Sequence, residues 1–128
     1  MPVIRLADVP EVAQIGPGLD TIIMKKVIGS TERDPAFQMP DETPSLSITH
    51  VKIWGHLGRS SNDETDRAMF IVDGDGVARV GEDPAQGFGA GDFLLIPKGV
   101  PYECDGNFTY LVINSPAYRQ GTDVADLA

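Results

Sequence analysis

Residues 67–106, RAMFIVDGDGVARVGEDPAQGFGAGDFLLIPKGVPYECDG, constrain the fold of this chain more than any other stretch. Two short apolar runs, Met69–Val72 and Phe93–Ile96, and the strand-like run Val77–Val80 between them are separated by glycine, aspartate and proline. Each run is too short for a helix and is bounded by turn formers, which is the pattern of strands. Asp73-Gly74-Asp75-Gly76 supplies the positive φ that a tight hairpin turn needs, so the flanking runs read as two antiparallel strands. Pro97 ends the following ladder and Gly99 permits the chain to fold back.

The rest of the chain repeats this grammar. Strands are expected at Val3–Leu6, Leu19–Ile28, Ser45–Leu57, Tyr102–Asp105 and Phe108–Asn114, with a turn at Gly16-Pro17-Gly18. Residues 29–44 carry three prolines and form a long loop able to fold over a binding site, and 58–66 form a polar loop. After Pro116 the tail turns polar and is expected to be loose or docked on the surface. Fourteen glycines and ten prolines in 128 residues, with no internal repeat or linker, predict a single all-β domain over 1–128, a barrel or a sandwich. Its core is expected at about 45–115, between the N-terminal strands of 3–28 and the tail of 117–128.

Charge and composition exclude several classes. Ten basic residues are spread among nineteen acids, a net charge of −9, whereas nucleic-acid binding needs clustered lysine and arginine. No apolar run approaches the roughly 20 residues of a membrane helix. The start, MPVIRLADVPEV, lacks the basic and apolar regions of a secretory signal, and one cysteine, Cys104, suits a reducing cytoplasm.

Gly91, Pro97 and Gly99 stand in the register of the second cupin motif, G-x5-P-x-G-x2-H-x3-N, and residues 45–115 resemble a cupin. The resemblance implies a double-stranded β-helix barrel, often a homodimer, with a small-molecule ligand inside. The motif's metal-binding histidine falls on Tyr102, and its asparagine on Gly106. In the first motif, G-x5-H-x-H-x3–4-E-x6-G, Gly74 fits the last glycine and Arg67 falls where the metal-binding glutamate would be. The histidine pair would fall on Ser61 and Asp63, on Ser60 and Asn62, or, counted from Gly58, on Glu64 and Asp66. All four ligand positions depart from the pattern, so no metal and no cofactor is expected. A guanidinium and a phenol are poor ligands for the divalent ions such barrels hold.

Carried over from the motif, Arg67 and Tyr102 point into the barrel. Arg67 is read as a clamp for a carboxylate, phosphate or enolate, or as the partner of Asp63, Glu64 or Asp66. Tyr102 is read as a hydrogen-bond donor or general acid, or as a core aromatic. Alternation places Met69 beside Arg67 and Cys104 beside Tyr102, as pocket lining or as core. On the Ser45–Leu57 strand, Leu46, Ile48, His50, Lys52, Trp54 and His56 share one face, and Ser47, Thr49, Val51, Ile53 and Leu57 the other. The first set is read as a pocket wall, with Lys52 or His56 moving protons and His50 and Trp54 holding substrate. The alternative leaves that face outside the barrel, with Lys52 snorkelling. His50 and His56 lie roughly 20 Å apart on an extended strand, too far to share a metal.

Three functions follow as expectations. The first is a metal-independent isomerase, cyclase, dehydratase or decarboxylase acting on a small anionic or enolisable substrate. The second is a non-catalytic module that binds a small acid or sugar. The third is a metal-dependent oxygenase or lyase, using His56 with carboxylates of the Asn62–Asp66 loop.

Overall fold

The computed structural model describes residues 3–16 and 19–125. Among the described residues eight strands form: β1 Glu11–Gly16, β2 Leu19–Ile28, β3 Ser47–Asn62, β4 Asp66–Val80, β5 Gln86–Gly89, β6 Phe93–Ile96, β7 Tyr102–Ser115 and β8 Asp123–Ala125. They pair antiparallel in the order β1-β2-β3-β7-β4-β5, with β6 also on β4 and β8 on β3. Among the described residues the one helical piece is a 3-10 turn at Leu6–Asp8, and no helix is long and apolar enough to cross a membrane. The fold is all-β, as the punctuation of the sequence predicts.

Three long strands carry the structure. β7 lies between β3 and β4 and pairs with both along most of its length. Its inward residues Tyr102, Cys104, Phe108 and Tyr110 meet Val51, Ile53, Met69 and Ile71 in one core cluster. Ile53, Met69, Ile71 and Cys104 are essentially without solvent contact. Burying an aliphatic side chain of this size contributes about 1.5–3 kcal/mol, so this cluster holds the sheet in its curved form.

Several expected boundaries are corrected. Asp73-Gly74-Asp75-Gly76 is not a hairpin turn: β4 runs straight through it, with a shift in register between Ile71 and Asp73. Tyr102–Asp105 and Phe108–Asn114 are likewise one strand, and β3 extends to Asn62 through most of the expected 58–66 loop. Val3–Leu6 is not a strand, and the first strand begins at Glu11. Pro17 and Gly18 of the expected turn lie outside the described residues.

Glycine explains the long strands. Gly55, Gly106 and Gly76 stand side by side across β3, β7 and β4. A Cβ on Gly106, where φ is +150°, would lie 2.4 Å from the Asp75 carbonyl oxygen, and one on Gly76 would lie 2.5 Å from that of Asp105. The backbones approach too closely there for any side chain, so the sheet bends along this line rather than turning.

The remaining segments knit together at one end. Loop 29–44 buries Phe37, and the Arg33 side chain donates from Nε to the Ala117 carbonyl at 2.6 Å. The Gln120 amide donates back to the Arg33 carbonyl at 2.9 Å. The tail is therefore docked.

Gly106→Ala should lower stability in urea unfolding by roughly 3 kcal/mol or more, because backbone must move to admit the methyl group. Gly91→Ala, at φ +90° with no atom within 4 Å of the added carbon, should cost only about 1–2 kcal/mol of backbone strain. Equal losses would refute the close-approach account.

Candidate functional site

A cavity of about 450 Å³ opens between β2, β3, β4, β7 and the tail, within the size range of small-molecule sites. Its apolar wall comes from Ile22, Met24, Val51, Leu57 and Val112, and its polar wall from Lys26, Arg67, Tyr102, Tyr110, Asn114, Tyr118 and Asp123.

Arg67 is the centre of the polar wall. It is 5% exposed, and its guanidinium donates in three directions. Nε reaches Asn114 Oδ1 at 2.7 Å, Nη1 reaches the Tyr102 hydroxyl at 2.9 Å and Nη2 reaches Asp123 Oδ1 at 3.0 Å. In ladder terms the contact with Tyr102 is unexpected. Arg67 pairs with Asn114 at one end of the β4–β7 ladder, while Tyr102 pairs with Val80 at the other. The bend brings the ends together: β6 ends with Ile96 beside Arg67, and Pro97–Pro101 leads straight into Tyr102.

The electrostatics follow from burial. Burial alone would lower the Arg67 pKa, but Tyr102 and Asp123 outweigh it and hold the group above its ordinary value, so it stays a cation. Burial raises the Tyr102 pKa against the opposing pull of Arg67, so the phenol keeps its proton. Accepting a hydrogen bond from Arg67 leaves that proton free to be donated. Asp123 Oδ1 also accepts from Asn62 Nδ2 at 2.9 Å. At the rim, the Lys26 ammonium binds Asp34 and sits 5.3 Å from the centre of the Tyr118 ring.

The structure thus brings Arg67 and Tyr102 together, and the counter-ion of Arg67 is Asp123 rather than Asp63, Glu64 or Asp66. Asp66 Oδ1 accepts from the Lys98 amide, and Glu64 binds Arg119. The expected wall of β3 is corrected. Val51 and Ile53 are 2% exposed and Trp54 is 44% exposed, so the inner face is the one bearing Thr49, Val51 and Leu57. Lys52, His50, Trp54 and His56 lie on the opposite face, away from the cavity. His56 Nδ1 meets Asp105 Oδ1 at 2.6 Å on the exterior. The His50 pKa is lowered by burial and then by Lys52 and Lys25. Met69 and Cys104 point inward but belong to the core cluster and do not line the cavity. Burial pushes the Cys104 thiol up to about 12, which removes it as a nucleophile.

Tyr110 and Asn114 were missed, although they share the inward alternation of Tyr102 once β7 is one strand. Asp123 had no local signal at all.

Arg67 and Tyr102 are poor ligands for a divalent metal ion. Arg67 and Tyr102 stand at two ligand positions of the resembling barrels, and the guanidinium charge repels a cation. His56 and the Asn62–Asp66 carboxylates do not converge, and no cluster of three His, Cys, Asp or Glu side chains suited to a metal occurs among the described residues.

Solved structures share this architecture. The polyketide cyclase RemF of Streptomyces resistomycificus aligns over 100% of this chain and 87% of its own, with TM-score 0.75 and 16% identity. Pac13, a nucleoside dehydratase whose variants from Streptomyces were solved with uridine, aligns over 98% and 91%, with TM-score 0.73 and 14% identity. KdgF from Halomonas sp. aligns over 91% and 94%, with TM-score 0.68 and 16% identity. No protein-family model matches the chain, and no curated protein does. At these identities the likeness establishes the fold: this is a cupin-like β-barrel.

Alkylation of Cys104 tests the inner face of β7. With the pKa near 12, about one thiol in ten thousand is ionised at pH 8, against about one in ten at an ordinary value of 9.0. Iodoacetamide should label native protein at least about a hundredfold more slowly than urea-unfolded protein. Similar rates would place the thiol in solvent.

Proposed function

We propose that this barrel is a small-molecule enzyme that moves protons on an anionic or enolisable substrate, without a metal or redox cofactor. The observation that carries this reading is the hydrogen-bonded trio of Arg67, Tyr102 and Asp123 on the cavity wall. Arg67 holds a developing oxyanion. Three of the five guanidinium N–H groups are engaged, which leaves two for a bound oxygen. Tyr102 is the general acid, since its raised pKa keeps the proton that it must deliver. Asp123, in place of Lys52 and His56, accepts the proton from the same wall once a substrate oxygen has taken its place on Arg67. Arg67 places a buried cation on the cavity wall in a chain of net charge −9, whereas Lys26 and Arg59, also on the lining, lie within ion-pair reach of Asp34 and of Glu82 and Glu103. That contrast favours an anionic substrate.

Elimination, cyclisation, isomerisation and decarboxylation are all within reach of such a site, because each needs an acid, a base and an oxyanion holder. The dehydratase and cyclase on the same fold support small-molecule chemistry, though not one reaction among these. Action as a cytoplasmic homodimer belongs to the same reading, and sedimentation at twice the chain mass would support the pairing.

The test is a screen of 2-oxo and 3-hydroxy acids in D2O, followed by proton NMR for exchange or loss of the α-hydrogen. On the substrate found, Tyr102→Phe should lower kcat by about 10²–10⁴, and Arg67→Lys should raise KM and lower kcat together. Full rates in both variants would sink the mechanism. The acid form of Tyr102 is the active one, so activity should persist through neutral pH. It should fall only as pH rises through a value above the ordinary 10.0. A loss already complete by pH 8 would remove Tyr102 as the acid.

A further inference from the structure

We infer that Asp123 occupies the place of a ligand carboxylate on Arg67, and that a small carboxylate ligand binds by exchanging with it. This inference rests on the reading of the cavity as an anion site. It adds that the anionic partner on Arg67 Nη2 is already supplied by a side chain of the protein itself.

Four observations carry the exchange. Arg67 is 5% exposed, so its charge cannot be left without a counter-charge; a departing carboxylate must be replaced by another anion. The resident carboxylate holds the guanidinium through one contact, Nη2 to Asp123 Oδ1 at 3.0 Å. A free carboxylate can take the two-pronged arrangement that a guanidinium favours, and so gains a bond that Asp123 does not make. The attachment of Asp123 is also the weakest among the three partners of Arg67. Asn114 and Tyr102 are 3% and 5% exposed on the central strand, whereas the Asp123 side chain is 39% exposed. Finally, β8 is three residues long, exposed throughout and, among the described residues, paired only with Ser60–Asn62 of β3. About 450 Å³ of open cavity lies beside it, so the incoming group has room before Asp123 leaves.

Exchange has a structural consequence. Asp123 and Thr122 are tied to β3 through Asn62 Nδ2, at 2.9 Å and 2.8 Å. A ligand that takes Arg67 removes the strongest of the ties on β8, so occupancy of the cavity and docking of β8 become opposed. The apparent affinity of the wild type is reduced by the fraction of time Asp123 holds the site.

The probe is malonate, titrated by calorimetry and thermal shift, with sodium chloride at matched ionic strength as the control. Wild type should bind malonate weakly, and Asp123→Asn should bind it at least about tenfold more tightly, with a larger rise in melting temperature, because the competitor is gone. Arg67→Met should bind none. If Asp123→Asn is too unstable to titrate, hydrogen exchange on the wild type decides instead. Malonate should speed exchange at residues 123–125 while leaving β7 unchanged. Wild-type binding lost in Arg67→Met, but no tighter in Asp123→Asn and without faster exchange at 123–125, would overturn the exchange and leave the anion site standing. No binding above the chloride control in wild type and Asp123→Asn alike would overturn both.

Discussion

A guanidinium cannot be buried alone. Moving an ion out of water costs several kcal/mol even after relaxation, and the loss is recovered only where the surroundings bring opposite charge and acceptors into contact with it. Arg67 meets that requirement with Asn114, Tyr102 and Asp123, which come from the two ends of β7 and from β8. These three positions converge only if the β4–β7 ladder is rolled up and the tail is laid across the opening. The buried charge therefore ties the closure of the barrel to the geometry of its cavity.

Curvature is the other half of this dependence. The row of Gly55, Gly106 and Gly76 lets three long strands bend at a common line, so that one sheet supplies both the floor and the walls of the cavity. Apolar packing of Ile53, Met69 and Ile71 under the bend keeps it rigid. The polar groups Arg67, Tyr102 and Asn114 are then presented together on one wall of the cavity. Cys104, sealed in this packing, contributes volume and not chemistry.

How legible the site was in the sequence differs residue by residue. The inward direction of Arg67 and Tyr102 is what the resemblance to the cupin motif implies, and in the structure the two side chains lie 2.9 Å apart. The β3 residues show the limit of alternation. A period of two separates His50, Lys52, Trp54 and His56 from Thr49, Val51 and Leu57, but it is symmetric and does not say which set is inside. The polar set looked like a pocket, and yet Val51 and Ile53 were the ones drawn into the core. Asp73-Gly74-Asp75-Gly76 misled for a related reason: the positive φ of a turn and the close approach of a bend call for the same residue.

What the sequence determined by itself was local: the all-β architecture and the glycines at which backbones come close. These depend on residue type and near neighbours, which a chain carries in its order. What only the tertiary structure decided was every relation across long separations. Asp123 meets Arg67 fifty-six residues away, Tyr102 meets it thirty-five away, and loop 29–44 meets the tail. Nothing in the residues flanking Asp123 distinguishes it from the other acids of an acidic surface. It becomes part of the site because the barrel closes around a buried cation, and the cheapest way to satisfy that cation is the carboxylate that folding brings to it.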